Sequence, residues 1–385
     1  MGSGFLLLYI YLGDGIYMSR IRRNTFKIIL GVIVVFGGAL LGIVNQMSYK
    51  GIKVEKWDNY YNESNIVFFY EDFSNNKIKF LEDTYHLKEA TKDEKTDLDK
   101  VIKITNIVNK IVEYDDVDNE NLNSAYDILV DKGDKKKVSN KDMAIITRDM
   151  LSSIGINSRV GMYRSKNAQF KEKSQYYIVE FWSKEFSKWI AVDCIDQGYF
   201  VSGDTKLSAM EVLTDNFKNV SYLGKSSQKD YKNKIKKYLD SYSLQIDNTI
   251  LNEKSNSYVT YLKDKDALEL KYINKFAPPT IFTEETKLFE KSPYERRIGT
   301  DEKAYLILSL INSKSEENNG SITEIIIAGF KDGSVIKEYY VNIDGKGYEK
   351  VNSYTKTELK KGKTSIELSL DGQTPISSVE INREK

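Results

Sequence analysis

The stretch Ser139–Tyr163, SNKDMAIITRDMLSSIGINSRVGMY, decides the fold of the middle of the chain. Its apolar residues recur every three or four positions and predict an amphipathic helix, with Ser139 or Asn140 as the N-cap and Gly155 as its stop. Those apolar residues are Met143, Ile146, Met150, Leu151 and Ile154. Because Ser158 to Tyr163 has the pattern of a strand, the sequence predicts a helix that leads directly into a sheet.

Further helices and strands are predicted on both sides of this stretch. Apolar residues at helical spacing indicate one helix over residues 101–112 and a shorter one around Tyr126 to Val130. Two more strands are predicted at Tyr176–Trp182 and Trp189–Asp193. Helices followed by an antiparallel meander are typical of the α+β class, which is the fold class we predict for this region.

Three motifs in this region are Met150–Val160 (MLSSIGINSRV), Tyr177–Trp182 (YIVEFW) and Lys188–Asp193 (KWIAVD). In this order they resemble segments of transglutaminase-like domains, which are papain-fold relatives found in many bacterial envelope proteins. The resemblance covers roughly residues 65 to 200, about a third of the chain. It implies a papain-like α+β domain with the predicted helix at its centre.

The resemblance also implies where an active site would lie. In the family, a Cys at the N-terminus of the central helix is the nucleophile, a His on a following strand is the base, and an Asp orients the His. Matched motif by motif, the Cys position falls on Asn140 and the His position on Tyr176, whereas the Asp is kept as Asp193. An amide is a poor nucleophile, and a phenol with a pKa near 10 is a poor base at neutral pH. We therefore predict a degenerate domain without catalytic residues, in which these three side chains line the old cleft.

The single Cys and single His of the chain do not replace the missing pair. Cys194 directly follows Asp193, so in a strand it would face the opposite side and act as a small buried hydrophobic residue. His86 lies in a charged segment before the helices and is expected to be a surface or packing residue. One residue of each type excludes both an internal disulfide and a zinc site built on Cys and His clusters. No metal and no cofactor are predicted.

A membrane anchor is predicted near the N-terminus. Residues 28–44 (IILGVIVVFGGALLGIV) form an uncharged run of 17 residues, close to the minimum length of a transmembrane helix. Basic residues cluster before this run, so the positive-inside rule places residues 1–27 in the cytoplasm and the bulk of the chain outside the cell. A cleaved signal peptide is the alternative, but residues 45–49 lack a small-x-small cleavage site. We expect a single-pass protein of the cell membrane.

Three extracellular regions follow the predicted anchor. Residues 46–98 form a charged lead-in, and residues 99–250 form the transglutaminase-like domain, including a basic helical connector over 231–242. Residues 255–385 have strand patterns throughout, with a hairpin signal at Asp332-Gly333. At least six strands over this length favour a C-terminal β-sandwich domain.

The amino-acid composition limits which classes of partner are expected. The 57 Lys and Arg balance 56 Asp and Glu, which gives a formal net charge of +1 and argues against nucleic acid as a partner. The leading hypothesis is a membrane-anchored extracellular pseudoenzyme whose transglutaminase-like domain binds or scaffolds a cell-envelope component, either peptide or glycan. One alternative is an active transglutaminase or thiol-peptidase with rearranged catalytic residues. The other is a structural spacer that presents the C-terminal β-sandwich.

Overall fold

A computed structural model describes residues 52–117, 122–130, 136–166, 174–263, 279–295, 299–314 and 321–384. The predicted cytoplasmic segment 1–27 and membrane helix 28–44 lie outside these residues. Within the described ranges, no helix is both long and apolar enough to cross a bilayer. The chain divides into two compact units, and the larger one, Val54–Ile381, contains nearly everything described below.

Seven α-helices are found in the described residues. In chain order they are α1 Asn76–Tyr85, α2 Leu87–Thr91, α3 Asp97–Ile111, α4 Ala125–Leu129, α5 Asn140–Ser153, α6 Ala209–Asp215 and α7 Gln228–Ile235. The predicted helices around 101–112 and 126–130 are confirmed as α3 and α4.

Twenty strands accompany these helices in the same residues. They are β1 Ile52–Asp58, β2 Val112–Tyr114, β3 Lys136–Val138, β4 Ser158–Arg164, β5 Gln175–Ser183, β6 Lys188–Asp193, β7 Gly198–Ser202, β8 Thr205–Lys206, β9 Ser221–Leu223, β10 Ser241–Gln245, β11 Tyr258–Leu262, β12 Thr280–Thr283, β13 Tyr305–Lys314, β14 Ser321–Lys331, β15 Ser334–Val335, β16 Glu338–Ile343, β17 Tyr348–Asn352, β18 Tyr354–Glu358, β19 Gly362–Ser369 and β20 Ser377–Arg383.

Helix α5 begins and ends where the sequence predicts. Ser139 is the N-cap: its hydroxyl accepts the backbone N–H of Asp142 at 3.1 Å, and the Asp142 carboxylate accepts the backbone N–H of Ser139 at 3.1 Å. This reciprocal capping box satisfies two N–H groups that a helix start otherwise leaves open. The helix ends at Ser153, and Gly155 follows with a φ of 81°, a conformation that glycine adopts without strain.

The central sheet has nine strands, with β4, β5 and β6 forming the predicted antiparallel meander. Helix α5 packs on one face of this meander, where Val179, Val192 and Cys194 join its apolar core. The opposite face packs against α6 and α7 and carries Tyr176 and Ile178. Adjacent residues of β5 therefore serve two different cores, as the alternation of side chains along a strand requires.

The central sheet extends beyond the region that resembles the family. Strand β10 pairs with β4, β11 pairs with β10, and β12 pairs in parallel with β11. Residue 255, the predicted start of the C-terminal domain, thus lies between two adjacent strands of this sheet, β10 and β11. The expected lead-in likewise contains α1 and α2, whose Ile78, Leu81 and Leu87 are buried in the core around α5.

The predicted connector helix over 231–242 differs from the observed structure. Helix α7 ends at Ile235, a short 3₁₀ turn covers Lys236–Tyr238, and strand β10 begins at Ser241. The physical reason is the burial of Tyr242: it pairs with Tyr163 in the sheet and its hydroxyl donates to Glu180 at 2.8 Å. Sheet pairing therefore overrides the local helical pattern.

Two further sheets account for the C-terminal strands. One has the order β1-β20-β19-β16-β17, and the other the order β13-β14-β15 with β18 also paired to β14. The predicted hairpin is confirmed, because β14 and β15 pair across Asp332 and Gly333, which both have positive φ. The two sheets touch where the hydroxyl of Tyr339 in β16 donates to the carbonyl of Ile327 in β14 at 3.0 Å.

Candidate active site of a transglutaminase-like domain

The site is assembled from the start of α5 and from strands β5 and β6. Asn140 is the first residue of α5, and its side chain binds the backbone of Tyr177 twice. The amide nitrogen donates to the Tyr177 carbonyl at 3.0 Å, and the amide oxygen accepts the Tyr177 N–H at 2.6 Å. Pairing between β5 and β6 extends only to Val179 and Val192, so Tyr177 lies beyond it. Asn140 therefore ties the helix start to the part of β5 that extends beyond β6 and pairs with β4 on its other side.

Tyr176 and Asp193 meet on the other face of the sheet. The Tyr176 hydroxyl donates to Oδ2 of Asp193 at 2.5 Å, although 17 residues separate the two in sequence. Both side chains are buried, with exposed fractions of 5% and 0%. All three predicted site residues are thus brought to one place, because Asn140 is bonded to the residue next to Tyr176.

Asp193 accepts hydrogen bonds on both carboxylate oxygens. Oδ1 accepts the backbone N–H groups of Ile195 at 2.8 Å and Asp196 at 2.9 Å. Oδ2 accepts the Tyr176 hydroxyl and a second phenol, that of Tyr231 in α7, at 2.8 Å. A buried carboxylate with four donors is well compensated for the loss of water.

Lys234 completes the cluster from the solvent side. Its Nζ donates to the Tyr176 hydroxyl at 2.6 Å, lies 3.7 Å from Oδ2 of Asp193 and sits 4.7 Å from the centre of the Tyr176 ring. The phenol of Tyr176 is therefore held between an ammonium and a carboxylate. Sequence reasoning missed Lys234 and Tyr231, since both lie on a helix that was predicted only to connect two domains.

The electrostatics of this cluster disfavour proton abstraction by Tyr176. Burial, and then the carboxylate of Asp193 beside it, raise the pKa of the Tyr176 phenol well above its ordinary value. The same two causes raise the pKa of Tyr231. Both phenols therefore stay protonated at neutral pH and act as hydrogen-bond donors.

The single thiol faces the opposite side of the sheet from the Tyr176–Asp193 pair. Cys194 is fully buried as predicted and packs in the core around α5, whereas the partners of Asp193 belong to the core on the opposite face. Burial raises the pKa of the Cys194 thiol to about 12. His86 is exposed in the turn between α1 and α2, and none of the hydrogen bonds around Asn140, Tyr176 and Asp193 in the described residues involves it.

One small cavity lies near the start of α5. It is lined by Lys141, Arg148, Tyr177 and Tyr258 among others. The space in it that a water-sized sphere can reach is about 10 Å³, enough for one water molecule. Across the described part of the chain, no group of three or more His, Cys, Asp or Glu side chains is arranged to hold a metal ion.

The domain combines a central helix packed on an antiparallel meander, a bond from Asn140 at the helix start to β5, and a Tyr176–Asp193 pair on the opposite face of the sheet. Residues 85–194 match the family model of the transglutaminase-like superfamily, which confirms the resemblance seen in the sequence motifs. The chain therefore contains a transglutaminase-like superfamily domain. No curated protein sequence matches the chain.

Proposed function

We propose that the transglutaminase-like domain is catalytically inactive and that its former active-site residues stabilise the fold. The observation that carries this proposal is that the side chains of all three positions are engaged in hydrogen bonds within the domain. Asn140 binds the backbone of β5, and Tyr176 is held between Asp193 and Lys234. Each group that would have to move or ionise for catalysis is instead engaged in a hydrogen bond.

The absence of a usable nucleophile and base supports the same proposal. A thiol with a pKa near 12 supplies almost no thiolate at neutral pH, and the only imidazole is on an exposed turn. Transglutaminase and thiol-peptidase chemistry both require the two groups within hydrogen-bond reach. An enzyme with rearranged residues would therefore need a nucleophile other than Cys194.

We further propose that the protein is anchored in the cell membrane by residues 28–44 and exposes the rest of the chain. There, the inactive domain binds or scaffolds a peptide or glycan of the envelope, and the two C-terminal sheets stack as a β-sandwich. The basic cluster before residue 28 supports this orientation. Protease added to intact protoplasts should remove the bulk of the chain, and full protection would refute the topology.

The test of inactivity compares thiol reactivity in matched variants of the full chain. Wild type should show no amine transfer, no peptide hydrolysis and very slow labelling by iodoacetamide at neutral pH. In a Cys194→Ala background, Asn140→Cys with Tyr176→His should place a thiol at a helix N-terminus beside an imidazole that Asp193 can orient. This variant should label faster than Lys346→Cys in the same background, which supplies an ordinary exposed thiol.

A catalytic Cys194 would give the opposite result in this labelling experiment. Rapid labelling of the wild-type chain, together with an activity that Cys194→Ala abolishes, would show that Cys194 is catalytic and would overturn the proposal.

Binding is tested separately, by sedimenting the full chain with purified cell-wall fractions before and after glycan-cleaving or peptide-cleaving digestion. Failure to sediment with either fraction would leave the domain without the proposed envelope ligand.

A further inference from the structure

Helix α7 has two chemically different faces. Tyr231 and Ile235 point into the core, and Lys234 reaches inward to Tyr176. On the outer face, Lys229 and Lys232 are three residues apart, and Lys236 follows four residues later at the start of the 3₁₀ turn. This spacing aligns the three ammonium groups along one side of the helix, because residues three and four apart are neighbours on a helix surface.

The basic surface continues on both sides of α7. Residues 216–240 contain seven lysines and two aspartates, with no arginine and no histidine, in a chain whose formal net charge is only +1. Lys225, in the turn before the helix, and Lys237, after it, are also exposed. We call Lys225, Lys229, Lys232, Lys236 and Lys237 the α7 lysine row.

The α7 lysine row forms no ion pair with the acidic residues that the structure describes. Within the described residues, no carboxylate oxygen lies within 4 Å of any of its ammonium groups. Exposed lysines on the C-terminal strands differ, since Lys350 pairs with Glu338 at 3.0 Å and Lys356 with Glu324 at 3.0 Å. The acidic residue inside α7, Asp230, is bonded to the N-cap Ser227 through both its carboxylate and its backbone N–H. The row therefore presents positive charge that the described part of the chain leaves without ion pairs.

The row is also held in a fixed position. Ser227 caps the start of α7, and two inward contacts, from Tyr231 to Asp193 and from Lys234 to Tyr176, attach the helix to the central sheet. A charged surface on a rigid element loses less conformational entropy on binding than one on a loop.

We propose that the α7 lysine row binds a linear polyanion that carries phosphate groups along its length. The charge complementarity of an extended row of lysines, which form no ion pair within the described residues, favours a chain of negative charges over a single small anion. Lysine ammonium groups act as point charges toward phosphate and need no fixed bidentate geometry, which suits a flexible polymer. This inference does not depend on whether the transglutaminase-like domain is inactive.

The test measures binding of the full chain to long-chain inorganic polyphosphate as a function of salt. The variant carries Lys229→Gln, Lys232→Gln and Lys236→Gln. The control carries Lys346→Gln, Lys360→Gln and Lys361→Gln, three exposed lysines of the C-terminal region that give the same change in net charge. Thermal unfolding of each protein verifies that the substitutions leave the fold intact.

The α7 variant should bind polyphosphate at least roughly tenfold more weakly than wild type, and the slope of log K against log salt should become shallower by about two. The control variant should stay close to wild type. Equal losses in both variants, or no loss in the α7 variant, would overturn the proposal. Equal affinity for polyglutamate would refute the preference for phosphate. Binding to phosphatidylglycerol vesicles without binding to polyphosphate would assign the row to a membrane surface instead.

Discussion

Replacing Asp193 is the sharpest test of a structural role for the former active site. In an active member of the family, this Asp orients a His, and its loss would affect the rate more than the stability. Here the carboxylate accepts four hydrogen bonds and lies 3.7 Å from the ammonium of Lys234. Asp193→Ala would leave two phenols and two backbone N–H groups buried without their acceptor.

The loss of stability expected for Asp193→Ala follows from the burial of these groups. Removing one partner of a buried charged network typically costs about 3–5 kcal/mol, and hydrogen bonds to a charged group contribute about 1.5–3 kcal/mol each. Lys234 is 36% exposed on its side chain, so its ion pair adds little to this sum. We expect Asp193→Ala to lower the free energy of unfolding by about 4 kcal/mol, a large part of a typical domain stability.

Asp193→Asn provides the graded control. The amide oxygen can still accept the N–H groups of Ile195 and Asp196, and its NH₂ can donate to the phenol oxygens of Tyr176 and Tyr231. The two phenol hydrogens then lack their acceptor, so the cost should be about half that of Asp193→Ala. Urea titrations followed by tryptophan fluorescence measure all three proteins. A loss below about 1 kcal/mol for Asp193→Ala would refute a structural role for the cluster.

Three further changes test other parts of the structure. Asn140→Ala should lower the free energy of unfolding by about 1–2 kcal/mol in urea titrations, because two hydrogen bonds to the β5 backbone are lost; no change would contradict the observed pairing. Gly161→Ala should cost about 2 kcal/mol or more, or prevent folding, because the new Cβ would lie 1.8 Å from the buried hydroxyl of Tyr242; wild-type stability would show that this ring is free to move. Burial raises the folded-state pKa of the Cys194 thiol to about 12. The contribution of this thiol to the free energy of unfolding is therefore fully present below about pH 9 and is lost as pH rises toward 12. The Cys194 contribution to the free energy of unfolding should therefore fall by about 2 kcal/mol between pH 8 and pH 10.5. This fall adds to the one caused by the raised pKa values of Tyr176 and Tyr231, and Cys194→Ala should lack only the Cys194 part.

Local patterns in the sequence predicted the centre of the domain well. The N-cap at Ser139, the stop at Gly155 and the meander of β4, β5 and β6 each depend on residues within a few positions of one another. Capping, glycine conformation and side-chain alternation act at that range, so a single sequence reveals them. The motif spacing also singled out Asn140, Tyr176 and Asp193, and the last two are hydrogen-bonded to each other.

What the sequence could not reveal depends on contacts between distant segments. Tyr231 and Lys234 lie about 40 residues after Asp193, and their helical spacing alone gave no sign that they reach it. The extension of the central sheet by β10, β11 and β12 was missed for the same reason, since strand order is set by tertiary packing. Within the described residues after 255, the alternating pattern identified strands without indicating which sheet each one joins. The strand predicted around residues 268–272 lies outside the described residues.

The pairing of β1 with β20 has a consequence for how the protein is made. About 320 residues separate the two strands, so β1 leaves the ribosome long before its partner exists. At a synthesis rate of about 5–20 residues per second, the wait is roughly 15–60 s. An unpaired strand is prone to pair with other chains, and β1, IKVEKWD, carries four charged residues among its seven, a composition that discourages such pairing. Among the described strands, β1 is thus synthesised first and its partner β20 last. Any truncation that removes β20 leaves β1 permanently without this neighbour.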